Sequence, residues 1–109
     1  MILIIGGASQ GKTAYAKEHY SKNYKIIEEY HKQVERELKN GLNPLEEAEK
    51  LLDTEESLVI ISNELGYGLV PMDKFEREYR ETNGRVNCYL AKQAEKVIRI
   101  ICGIGTQIK

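Results

Sequence analysis

Short unbroken apolar runs alternate along this chain with longer stretches in which apolar residues recur every three or four positions. The run ILII at 2–5 stops at Gly6-Gly7, the pattern of a strand buried on both faces. Residues 13–20 contain Ala14 and Ala16 and no proline, which predicts a helix. YKII at 24–27 predicts a second strand, weakened by Lys25. In 31–41, Val34 and Leu38 lie four apart on one helical face, and Gly41 suits a C-terminal stop. Asn43 then reads as an N-cap with Pro44 at the first helical position, and the helix they start sets Leu45, Ala48, Leu51 and Leu52 inward. LVIIS at 58–62 predicts a further strand. The pattern is helical again from Asp73 to about Gln93, with an interruption expected near Asn83-Gly84. A last strand is expected at 96–103, followed by IGTQIK.

Strands alternating with helices point to βαβ units. The expected fold class is therefore α/β: a small, mostly parallel sheet flanked by helices. At 109 residues the chain reads as a single domain, 1–109, and 41% hydrophobic with 30% charged residues is an ordinary soluble composition. A net charge of −1 offers no basic stripe for nucleic acid. The apolar start is too short for a membrane span, and Cys88 and Cys102 lack a CxxC spacing, so reduced thiols and a cytoplasmic location are expected. So small a sheet buries little apolar area, and self-association into a homo-oligomer is expected.

The chemistry starts after the first strand. Gly6, Gly7, Ala8, Ser9, Gln10, Gly11, Lys12 and Thr13 satisfy G-x-x-x-x-G-K-[ST], placed between a strand and a helix as a P-loop requires. The glycines allow close backbone approach, and the loop N–H groups converge on phosphate at a helix N-terminus. Lys12 is expected to reach the β- and γ-phosphates of ATP or GTP, and the Thr13 hydroxyl to ligate Mg²⁺. The fold expectation sharpens to a P-loop NTPase-type sheet. A P-loop also needs an acid at a neighbouring strand end. Glu28 and Glu29 end one strand and Glu64 follows another, and Glu28 is favoured for the metal.

A second stretch, VIISNELGYGLVP, leads from a strand into Asn63-Glu64, then Gly66 and Gly68, then Pro71. It reads as a loop with two flexible points and a rigid exit, able to close over a substrate. Together, GGASQGKT at 6–13, SNELGYGLVP at 62–71, GRVNCYLA at 84–91 and CGIGTQIK at 102–109 resemble the bifunctional adenosylcobinamide kinase/adenosylcobinamide-phosphate guanylyltransferases of cobalamin biosynthesis. The resemblance implies phosphorylation of the aminopropanol hydroxyl of adenosylcobinamide from ATP or GTP, then GMP transfer through a guanylylated histidine. It places the Asn63–Pro71 loop at the active site and brings in Arg80, Arg85 and Asn87 from the family's R…GRxN pattern. Positive charge at such positions suits phosphoryl transfer, so Lys12, Arg80 and Arg85 are the candidate catalytic residues.

The chain also departs from the family. Members are longer, with a further strand and helix after the P-loop helix, and that added helix carries the guanylylated histidine. Here Tyr20 is followed only by SKN before the next strand. Of the two histidines, His19 falls on a solvated helix face, and His31 follows a strand end close enough to approach the site. Cys88-Tyr89 replaces the family's Gln-Arg after GRVN. The expected activity is therefore the kinase step on a corrinoid acceptor, without guanylyl transfer. The alternatives are a bifunctional enzyme using His31 or a partner, and a non-catalytic nucleotide-binding subunit.

Overall fold

Nine elements follow one another in the computed structural model, which describes residues 1–55, 57–65 and 73–109. They are β1 (Ile2–Gly6), α1 (Lys12–Tyr20), β2 (Lys25–Ile27), α2 (Tyr30–Lys39), α3 (Pro44–Thr54), β3 (Leu58–Asn63), α4 (Lys74–Gln93), β4 (Lys96–Ile101) and β5 (Ile104–Gln107). The strands form one sheet in the order β2-β3-β1-β4-β5. Its first four strands are parallel and β5 is antiparallel to β4. The expected α/β sheet is present.

The unbroken apolar runs are explained by cover on both faces. Leu3, Leu58, Ile60 and Val97 pack beneath α2, α3 and α4, against Val34, Ala48, Val86 and Leu90. Ile2, Ile4, Val59, Ile61, Ile98 and Ile100 turn to the opposite face, where α1 lays Ala16 on them. Each of the buried isoleucine, leucine and valine side chains contributes about 1.5–3 kcal/mol, so the sheet interior is the main source of cohesion. Parallel register brings the C-terminal ends of β1 and β3 level, with Gly6 opposite Asn63.

Local signals set the helix ends. The Asn43 side chain accepts a hydrogen bond from the Leu45 amide at 3.0 Å, ahead of Pro44. Asp73 caps α4 by accepting from the Phe75 amide at 2.7 Å. At the end of α2, Gly41 takes φ +73°, and the Leu42 and Gly41 amides donate back to the carbonyls of Glu37 and Leu38. These paired bonds close the helix as a Schellman motif.

Two expectations need correction. Helix α4 runs unbroken through Asn83-Gly84. Asn83 is buried, and its side chain bonds the Asn63 carbonyl rather than competing for its own backbone, while Gly84 costs only about 1 kcal/mol in an exposed position. The last strand ends at Ile101 rather than 103, and residues 104–107 form a further strand. Cys102 and Gly103 have φ of +50° and +77° and join Ile101 to Ile104 as a two-residue hairpin turn. Cysteine is an unusual residue for that conformation, so the hairpin carried no turn signal. Among the described residues, no helix is long and apolar enough to cross a membrane.

Candidate functional site

Between the end of β1 and the start of α1 the chain makes a tight loop, with Ser9 at φ +57° and Gly11 at +88°. A Cβ on Gly6 would stand 2.6 Å from the Ile100 carbonyl oxygen, so β4 lies too close for any side chain there. The loop wraps one wall of a cavity of about 400 Å³, whose opposite wall carries Glu29, His31, Lys32 and Asn63.

Lys12 is 8% exposed, and its Nζ donates to the Gly7 carbonyl at 2.5 Å. Burial pushes its pKa below the ordinary lysine value, opposed by the charge of Glu64. Gln10 ties the loop to the β4–β5 turn. Its Oε1 accepts the Cys102 amide at 2.6 Å, and its carbonyl accepts the Gly103 amide at 2.8 Å.

The exit of β3 is held from several sides. The Glu64 amide donates to the Gly6 carbonyl at 2.9 Å, extending the β1–β3 ladder past its last pair. The Glu64 carboxylate accepts from Arg99 Nε at 3.2 Å. The Asn63 carbonyl accepts from Asn83 Nδ2 at 3.1 Å and Asn87 Nδ2 at 3.2 Å, while its amide donates to His31 Nδ1 at 3.4 Å. Tyr79 anchors the same corner by donating to the His31 carbonyl at 2.8 Å. His31 is buried, and burial lowers its pKa from the ordinary 6.5.

The sequence-predicted residues divide accordingly. Those from Ala8 to Thr13 line the cavity, and Asn63 and His31 face them across it. Glu28 does not line it. Glu28 is exposed, lies 3.7 Å from Lys17, and borders a separate cavity with Tyr30 and Glu37. Glu29, in a left-handed backbone conformation, lines the phosphate-loop cavity instead. Arg85 is exposed and paired with Glu81, in a groove with Leu45 and Tyr89 on the far side of α4. Arg80 is half-buried, three residues before Asn83 on α4. Gly66, Gly68 and Pro71 lie outside the described residues. Among the described residues, no group of three or more His, Cys, Asp or Glu is placed to hold a metal.

Sequence reasoning missed Arg99, Asn83 and Tyr79. Arg99 is the one charge within the apolar run 97–101, a signal that was available. Asn83 and Asn87 lie four apart, hence on one helical face.

Comparison with known proteins then decides the family. The sequence profile of the CobU family, described as cobinamide kinase / cobinamide phosphate guanyltransferase, matches residues 24–108. The chain belongs to this family. Two bifunctional adenosylcobalamin biosynthesis proteins CobU, from Salmonella typhimurium strain LT2 and Escherichia coli strain K12, are each 42% identical to it over 52 residues. That stretch covers 48% of this chain and 29% of each relative. The CobU profile match starts beyond the phosphate-type loop, so the loop is identified by its own motif and conformation.

Proposed function

We propose that this CobU-family chain is an NTP-dependent kinase that phosphorylates the aminopropanol hydroxyl of adenosylcobinamide. The observation that carries the reading is one cavity bounded on one side by the Gly6–Thr13 loop with Lys12, and on the other by the β3 exit at Asn63.

In this reading the N–H groups of the loop and of the first turn of α1 hold the phosphates of ATP or GTP. Lys12 Nζ leaves the Gly7 carbonyl for the phosphate oxygens, a small movement for a flexible side chain. Its buried, water-poor setting strengthens its attraction for the charge that develops during transfer. The acceptor hydroxyl approaches along the β3 exit, positioned for direct in-line attack.

The donor set fits Mg²⁺. The Thr13 hydroxyl on the cavity wall and the Glu64 carboxylate, whose charge acts on Lys12, would supply hard oxygen ligands to an ion otherwise held by phosphates and water. When bound, the ion neutralises phosphate charge. Glu64 replaces Glu28 in this assignment because its charge acts on Lys12, whereas Glu28 borders the other cavity. Arg85 serves α4 through its pair with Glu81, and Arg80 is the remaining arginine of the R…GRxN pattern on the Asn83 face of the helix.

Incubation with Mg²⁺, adenosylcobinamide and either ATP or GTP, followed by mass analysis of the corrinoid, tests the proposal. Gain of a single phosphate is expected. Gain of GMP would show that guanylyl transfer also occurs. An unchanged corrinoid despite nucleotide binding would point to a nucleotide-binding subunit and overturn the kinase.

A further inference from the structure

His31 lines the phosphate cavity, and its ring orientation is fixed from the backbone. Its Nδ1 accepts the Asn63 amide, and a nitrogen that accepts carries no proton, so the ring proton of the neutral imidazole resides on Nε2. Nε2 has no protein partner among the described residues, and it is not one of the side-chain atoms sealed from solvent without a partner. The corner is rigid: Tyr79 bonds the His31 carbonyl, and the two α4 asparagines hold the Asn63 carbonyl. Burial favours the neutral ring, as do Lys12 and Lys32, against the opposing charges of Glu29 and Glu35.

We propose that His31 is a neutral hydrogen-bond donor that presents Nε2–H to a phosphoryl oxygen of the bound nucleotide, with its tautomer set by the Asn63 amide. This rests on the kinase reading above and deepens it. It also bears on the covalent alternative. A histidine nucleophile attacks with a nitrogen lone pair, and here the Nδ1 pair is engaged while Nε2 bears hydrogen. The geometry thus prepares His31 to bind phosphate rather than to carry a nucleotidyl group. A neutral donor adds affinity without charging a buried ring, and it contacts one oxygen while Lys12 supplies the positive charge from the loop side.

The test combines long-range ¹H–¹⁵N NMR of the histidine rings with binding of the non-hydrolysable analogues AMPPNP and GMPPNP in Mg²⁺. At pH 7.5 the free protein is expected to show an unprotonated Nδ1 and a protonated Nε2 at His31, and saturation with analogue to move the Nε2–H resonance. His31→Gln, which keeps an amide donor near that position, is expected to bind within about threefold of the parent, and His31→Leu about tenfold or more weaker. An Nδ1–H tautomer, an unmoved Nε2–H at saturation, or a glutamine variant as weak as the leucine one overturns the assignment. The NMR readout uses the unaltered chain, so it stands even where a variant fails to fold. Failure of both analogues to bind overturns the nucleotide reading and this assignment with it. An Nδ1–H tautomer with normal binding overturns the assignment alone.

Discussion

Arg99 and Glu64 meet at 3.2 Å across the end of β1, joining β4 to the exit of β3 directly above the strand that feeds the phosphate-type loop. The pair fixes the Glu64 carboxylate without fully neutralising its influence on Lys12. Both side chains keep partial solvent access, so the pair contributes little to stability, about 0.5–1 kcal/mol. Arg99→Met should therefore shift the unfolding midpoint only slightly while lowering kcat/KM about tenfold and raising the Mg²⁺ requirement. Paired denaturation and Mg²⁺-titrated kinetics check this; a large stability loss with unchanged kinetics would assign Arg99 to the scaffold alone.

Lys12→Ala separates function from fold in the opposite sense. Loss of the amine should reduce phosphoryl transfer by a hundredfold or more. Stability should hold or rise, because a buried ammonium is expensive to desolvate. Thermal unfolding beside steady-state kinetics distinguishes this from general damage.

The asparagines of α4 act as alternates on one acceptor. Asn83→Ala or Asn87→Ala leaves the Asn63 carbonyl with one donor, at a cost of about 1 kcal/mol each. The double variant strands that carbonyl and should cost more than the sum of the two. Urea denaturation of all four proteins measures the coupling, and strict additivity would show that the two bonds do not share a load.

Two buried groups give stability opposite pH dependences. Burial raises the pKa of Glu37, and its Oε1 has no hydrogen-bond partner among the described residues. The folded state is penalised while that carboxylate is charged, and the penalty is relieved as pH falls through the raised pKa. Glu37→Gln should stabilise by about 1 kcal/mol near pH 8, with the gain shrinking on acidification. Denaturant midpoints from pH 4 to 8 provide the comparison.

His31 has the reverse sign. Its folded pKa lies below 6.5, so the unfolded chain binds the proton first and stability drains away as pH falls below about 6.5. His31→Gln should flatten that limb of the profile relative to the parent chain, measured over pH 5 to 7.5.

Much of the architecture was legible because its causes are local. The ILII run, the Asn43-Pro44 start and Gly41 each specify their element through burial on both faces, a side-chain cap or a positive φ. The loop at 6–13 was legible because few residues other than glycine fit where β4 crowds Gly6. What stayed hidden depends on contacts between distant segments. Glu28 and Glu29 are neighbours in sequence yet border different cavities, with Glu29 in a left-handed backbone conformation. Asn83-Gly84 looks like a turn until Asn63 supplies the partner that keeps Asn83 in the helix. Cys102 enters the hairpin turn although its residue type predicts nothing of the kind, and two bonds from Gln10 hold that turn in place.

Those bonds have a consequence for the order in which the site comes into being. The loop residues leave the ribosome well before the hairpin, and Gln10 finds its hydrogen-bond partners at Cys102 and Gly103, about ninety residues later. Closing so long a separation is entropically slow, and it cannot precede synthesis of the hairpin. In the proposed function, the loop therefore takes its full form only in a chain whose later-made hairpin has docked, and an emerging or hairpin-frayed chain lacks those two bonds. On that reading nucleotide favours the docked state, and each increment of bound nucleotide should steady the hairpin as well as the loop.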